Sequence, residues 1–186
     1  MILMVGLVGA IAPPAMADDG PRADVAGGYS LIYAHDLRTT FPAGWFFSAA
    51  VNANNVVAFA AEVSGHYKSA SATAGGASAS ASLKVHTLLA GPRFVAGTGA
   101  ARFFGQFLVG AALASAGVTA SGGGLNTSIG SSETDFCYMP AVGLDIGFNT
   151  RTAMRIGAGE RWIRLPGGST SNEFQFVAGL VHRFEK

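Results

Sequence analysis

The chain is short of charge. Asp, Glu, Lys and Arg make up 12% of its 186 residues, while 49% are hydrophobic. That charged share is about half the roughly 25% of ordinary soluble domains. A surface with so few charges suits water poorly and points to a non-aqueous surround. The net charge is +1, with no cluster of Lys and Arg, which excludes nucleic acid as a partner. Cys137 is the lone cysteine, so no intramolecular disulfide can form. It reads as a small wall residue, since a reactive thiolate needs a stabilising base beside it. Long apolar runs are missing as well. After Ala17 none reaches the roughly 18 residues of a membrane-spanning helix.

Catalytic signatures are equally absent. The chain has no G-x-S-x-G, no P-loop and no dinucleotide fingerprint. Its many serines lie in low-complexity stretches, without a His and a carboxylate placed to activate one. Glu62 and His66 would stand about 13 Å apart along a strand, too far to share a metal. Neither His66 nor His86 sits in a zinc-ligand spacing. Catalytic residues, metals and cofactors are therefore not expected. Asn126-Thr127-Ser128 matches a glycosylation acceptor but is read as loop sequence.

What is present begins with an apolar run from Ile2 to Ala12, then Pro13, Pro14 and Ala15-Met16-Ala17. This is the core and A-x-A cleavage site of a secretory signal peptide, residues 1–17, although no Lys or Arg precedes the core. The mature chain is then 18–186.

Along it, a two-residue period recurs, the period of a strand. Phe136, Tyr138, Pro140, Val142, Leu144, Ile146 and Phe148 share one face; Cys137, Met139, Ala141, Gly143, Asp145 and Gly147 share the other. Seven more segments repeat the pattern: 25–33, 45–52, 57–64, 83–89, 102–113, 154–162 and 174–184. In the 83–89 segment, Leu83, Val85 and Leu89 are taken as the apolar stripe and Lys84 and His86 as the polar one. Eight strands of about 10–13 residues suit an antiparallel barrel whose apolar face meets lipid. Tight turns at Ala53-Asn54-Asn55, Gly97-Thr98-Gly99 and Asn149-Thr150-Arg151 alternate with longer connections at 36–42, 68–81, 116–133 and 165–171. Asn and Gly are expected to supply left-handed conformations in the tight turns. The segments 69–82 and 114–132 are almost wholly Ala, Gly, Ser and Thr, and read as flexible loops.

With the strands laid out, the chain resembles the outer-membrane β-barrel domain family, which includes the outer-membrane protein A-like barrels. The resemblance rests on Gly28-Tyr29-Ser30, Glu62-Val63-Ser64-Gly65-His66-Tyr67, Gly91-Pro92-Arg93-Phe94, Gly143-Leu144-Asp145 and the ending Gly179-Leu180-Val181-His182-Arg183-Phe184. It implies residence in the outer membrane of a Gram-negative bacterium, with lipid around the barrel. It also implies insertion by the barrel assembly machinery through the aromatic Phe184, although Glu185 and Lys186 follow it. The barrel is expected to be the whole mature protein and a monomer, with any extracellular ligand met by its long loops.

Eight strands leave an interior just wide enough for side chains. Glu62, Lys84, Gln106, Asp145, Arg155, Arg161, Gln175 and Arg183 are expected to form a paired polar network there, since an unpaired buried ion is costly. The same pairs could gate a narrow pore. Tyr33, Trp45, Tyr67, Trp162 and Phe174 fall near the long-loop ends of their strands. Phe94, Phe148 and Phe184 fall near the short-turn ends. Together they suit two interfacial aromatic girdles. Glu160 falls in the lipid-facing phase and requires a bulge or a place near a rim. Two other functions stay open: a soluble lipocalin-like binder, which would line its cavity with the large apolar residues, and an outer-membrane lipid-modifying enzyme.

Overall fold

The computed structural model describes residues 22–36, 38–74, 77–97, 100–122 and 125–184. The leader expected at 1–17 lies outside them. The strands are β1 (Ala23–Ala34), β2 (Thr39–Phe41), β3 (Ala43–Asn52), β4 (Val57–Ala74), β5 (Ala77–Ala96), β6 (Ala101–Gly122), β7 (Leu125–Gly147), β8 (Thr152–Arg164) and β9 (Thr170–Phe184). β1 pairs antiparallel with both β2 and β3, each strand from β3 to β8 pairs antiparallel with the next, and β1 pairs with β9 from Ala23↔Phe184 to Ala34↔Glu173, closing the sheet. Within the barrel wall, closure leaves no free edge, the condition for satisfying every backbone group in a medium without water.

The short β2 continues β3 across Pro42. Against β1 the register runs Tyr29↔Trp45 on one side of that proline and Ile32↔Phe41 on the other, so one extra residue is inserted. Proline cannot donate to the ladder, and a bulge is where a strand tolerates it. The Tyr29 hydroxyl donates to the Pro42 carbonyl and holds the bulge in place. The barrel thus has eight walls, one of them bent.

At the end holding Ala23 and Phe184, the turns after β3 and β7 share one device. Asn54 Oδ1 accepts from the amides of Val56 (2.9 Å) and Val57 (2.7 Å); Asn149 Oδ1 accepts from Arg151 (2.9 Å) and Thr152 (2.8 Å). The left-handed backbone expected of these asparagines is not used. Among the described non-glycine residues only Arg38 has a positive φ. The side chains instead replace a backbone acceptor, as in an Asx-turn. Gly97, at φ 95°, does take the expected left-handed conformation.

The larger difference is at the other end. Segments 69–82 and 114–132, read from composition as flexible loops, continue the strands. β4 and β5 stay paired to Ala74↔Ala77, and β6 and β7 to Gly122↔Leu125. β5 and β6 also stay paired up to Ser78↔Ser121. A four-stranded sheet therefore stands above the barrel. In β4 and β5 its sequence alternates Ser or Thr with Ala, which is a two-residue period in polarity too small for hydropathy to register.

The large apolar side chains lie on the outside: Phe59 is 62% exposed, Leu180 60% and Val142 65%. Inside are Arg93, Arg155, Arg161 and Gln175, none more than 2% exposed, packed with Ala60, Leu89, Leu108 and Met139. This is the reverse of a lipocalin.

Candidate functional site: the barrel interior and the outer sheet

Every second residue of a strand points inward, so side chains from all eight walls converge on the axis. Nearest the short turns, the tier centres on Arg155 of β8. Its Nε donates to Asp145 Oδ1 at 2.8 Å and its Nη2 to Asp145 Oδ2 at 2.9 Å. Nη2 also reaches Asp24 Oδ1 at 3.2 Å, and Nη1 reaches Ser48 Oγ at 3.1 Å. Arg93 of β5 donates to Gln106 Oε1 (2.8 Å) and Asp24 Oδ1 (3.3 Å). Both guanidinium groups lie over the Phe104 ring, at 4.9 Å for Arg93 and 4.7 Å for Arg155. The ring fits there because position 143 is glycine: a Cβ would come within 2.3 Å of Phe104 Cζ.

The tier above is built from β4, β1 and β9. Gln175 Nε2 donates to Ser30 Oγ (3.0 Å) and Glu62 Oε1 (3.3 Å), and His66 Nε2 shares a 2.8 Å hydrogen bond with Ser30 Oγ. Beside it, Arg161 donates through Nε (2.9 Å) and Nη2 (2.6 Å) to Glu173 Oε2, and through Nη1 to Thr87 Oγ1 at 3.2 Å. A cavity of about 20 Å³ remains between Glu62, Phe104, Met139 and Gln175. It has room for a single water, which would satisfy the otherwise unpartnered Gln175 Oε1.

Of the residues expected inside, Glu62, Gln106, Asp145, Arg155, Arg161, Gln175 and Arg183 are buried, none above 7% exposed. Lys84 is not among them. It is exposed on the outer face of β5, opposite Tyr67 and Ser115, while Val85 and Leu89 point inward. The phase assumed for β5 is inverted, and the same inversion hid Arg93. Asp24, Glu173 and His66 were also missed, although each is buried in the network. Glu160 stays on the outer side: the β8–β9 register is unbroken from Thr152 to Arg164, so no bulge turns it inward, and it sits opposite Phe174 towards the end of β8.

The Ser30–His66 pair has the composition of a nucleophile and base. His66 Nδ1 has no partner to orient the ring, and both side chains are completely buried. Nucleophilic catalysis requires the opposite on both counts. Among the described residues no group of three or more metal-ligating side chains occurs.

On the outside, Tyr33, Trp45, Tyr67 and Phe174 are exposed on the wall below the outer sheet. Trp45 Nε1 donates to the Tyr67 hydroxyl at 3.3 Å, and Trp162 stacks on Tyr138 with ring centroids 5.2 Å apart. Phe94, Phe148 and Phe184 are exposed at the short-turn end. The outer sheet carries Ser71, Ser80, Thr119 and Ser128 as one row across its four strands. Such hydroxyls repeat about every 4.8 Å. The opposite face carries Ala81, Val118 and Ile129 in a row. Neighbours end early on both flanks: β3 stops at Ala43↔Tyr67 and β8 at Phe136↔Arg164. Lys68 donates to Thr39 Oγ1 and the Thr40 carbonyl, so β2 flanks the base of β4; the outer backbone edge of 125–135 pairs with no strand among the described residues.

Three solved structures share this architecture. The attachment invasion locus protein Ail of Yersinia pestis matches with a TM-score of 0.61 at 16% identity, over 89% of this chain and 99% of its own. The outer membrane protein OprG of Pseudomonas aeruginosa matches with 0.55 at 8% identity, over 90% and 98%. Neisserial surface protein A matches with 0.52 at 15% identity, over 87% and 94%. No curated protein matches in sequence. The model of the outer membrane protein beta-barrel domain matches residues 2–184, and with a closed barrel apolar outside and polar inside, the chain belongs to that family and resides in the outer membrane.

Proposed function

We propose that this barrel is a non-catalytic surface-interaction protein whose outer sheet takes up an extended segment of an extracellular protein by strand addition. The observation that carries this reading is the edge of β7, residues 125–135, which pairs with no strand among the described residues and is continuous with a sheet ordered by its neighbours. An edge of this kind is a row of unsatisfied donors and acceptors, and an extended peptide satisfies them. Natural sheets guard such edges with proline or inward-pointing charge. On this one the guards are few: no proline, with Glu133 and Asp135 near the base.

The interior supports a surface role over a conducting one, because stacked arginines and Phe104 fill the section where a pore would run. One structure of Ail holds the heparin analogue sucrose octasulfate. A polysulfated ligand suits this outer sheet poorly, since 69–82 and 114–132 contain no Lys or Arg. In this reading residues 1–17 are a cleaved leader, Phe184 is recognised by the assembly machinery, the aromatic belts sit at the two lipid interfaces, and the barrel is a monomer.

The test is a variant in which 69–82 and 114–132 are each replaced by a short turn. Detergent-folded variant is expected to keep its heat-dependent gel shift yet lose retention on arrays of immobilised extended peptides. Equal retention of variant and parent would refute strand addition.

A further inference from the structure

The interior carboxylates near the short turns are engaged by Arg93 and Arg155. Both oxygens of Asp145 accept from Arg155, and Asp24 Oδ1 is shared between Arg93 and Arg155. Two further arginines occupy the same end. Arg183 is the penultimate residue of β9, directly opposite Asp24, and is 4% exposed. Its Nε and Nη2 are buried and donate to nothing among the described residues. Arg102 is the second residue of β6, half-buried on the inward face, repelled by Arg183 and Arg155 and attracted by Asp24 and Asp145. Although Asp145 is Arg102's register partner, no ion pair forms between them among the described residues. Arg22 and Arg151 add positive charge at the adjoining rim, where the Arg183 amide donates to the Arg151 carbonyl at 2.7 Å.

A buried guanidinium with two idle donors beside a second cation is costly unless an anion completes it. Guanidinium forks match oxyanions of phosphate geometry, and arginine pairs line anion-selective pores for the same reason. The short turns mark this mouth as the periplasmic one. We infer that the periplasmic mouth of the barrel is a binding site for a phosphate-class oxyanion, held by Arg183 and Arg102. Free phosphate and the phosphodiester of an inner-leaflet lipid headgroup share that chemistry.

The test uses the mature chain folded in an uncharged maltoside detergent, titrated by calorimetry at constant ionic strength in chloride. Inorganic phosphate is one probe, and glycerophosphoglycerol, a headgroup phosphodiester, is the other. Saturable binding of either is expected, and the one that binds identifies the source. Arg183→Gln and Arg102→Gln are each expected to weaken it about tenfold, while Arg164→Gln, which removes a charge at the far end, leaves it unchanged. The heat-dependent gel shift establishes that each variant is folded, and Arg102→Gln carries the test if Arg183→Gln does not fold. Absence of saturable binding by both probes, or equal weakening by Arg164→Gln, overturns the site.

Discussion

Replacing Arg155 with leucine is expected to destabilise the folded barrel by about 3–5 kcal/mol, the cost of removing one partner from a buried charge pair. The size follows from what is left behind. Asp145 loses both of its guanidinium contacts, and Asp24 keeps only the 3.3 Å contact from Arg93. Leucine fills much of the volume over Phe104, so lost packing accounts for the smaller share. Adding Asp145→Asn to the leucine variant removes the stranded charge, and at least half of the lost stability is expected to return. Urea unfolding in lipid vesicles, followed by tryptophan fluorescence, measures both. A loss below about 1 kcal/mol, the scale of a surface ion pair, would show that water solvates this tier.

Gly28→Val is expected to prevent closure. Gly28 of β1 and Gly179 of β9 are register partners on the inner wall where the first and last strands meet. A Cβ at Gly28 would lie 2.3 Å from the Ala178 carbonyl oxygen and 2.4 Å from the Gly179 Cα, and one at Gly179 would lie 2.3 Å from the Gly27 oxygen. These obstacles are backbone, so no rotamer change relieves them; the strands must separate. Overpacking a core typically costs about 1–3 kcal/mol, and the loss here should exceed that range, because a parted seam exposes unpaired amides and carbonyls to lipid. Gly105→Val is the control, since a Cβ there meets nothing within 4 Å. Folding yield on a heat-shift gel separates them: Gly28→Val is expected to give almost no folded band and Gly105→Val a normal one. Equal yields would show that the seam can widen.

How much of this was legible in the sequence depended on whether two neighbouring positions differed enough in polarity. The 136–148 stretch sets Phe, Leu and Val against Cys, Gly and Asp, and its phase was read correctly. In β5 the interior positions are Leu83, Val85 and Leu89, as apolar as the outward Leu88 and Phe94. The lipid side carries Lys84 and His86 where the wall leaves the apolar layer. Polarity alone assigned the wrong face, misplacing Lys84 and overlooking Arg93. Asp24 and Glu173 sit close to strand ends, where a period has too few repeats to show. The pairing of Arg161 with Glu173 follows from the β8–β9 register, and no local pattern encodes it. The outer sheet was lost to composition: Ala and Ser are common in linkers, and their alternation was read as low complexity.

The serine–alanine makeup of that sheet also sets how it breathes. Ordering a residue's backbone costs about 1–2 kcal/mol, and a small side chain adds almost nothing to the cost or to the return. What opposes the cost is mainly the ladder itself, about 1 kcal/mol per hydrogen bond net of water. The tips should therefore open and reclose locally, long before the arginine-stapled barrel does. Amide hydrogens of 69–74 and 77–82 are expected to exchange with deuterium orders of magnitude faster than those of Phe136–Gly147; comparable protection would contradict this. A strand laid against β7 would slow exchange of the 125–135 amides beside it, so recognition at this surface would register as ordering, with little change in shape.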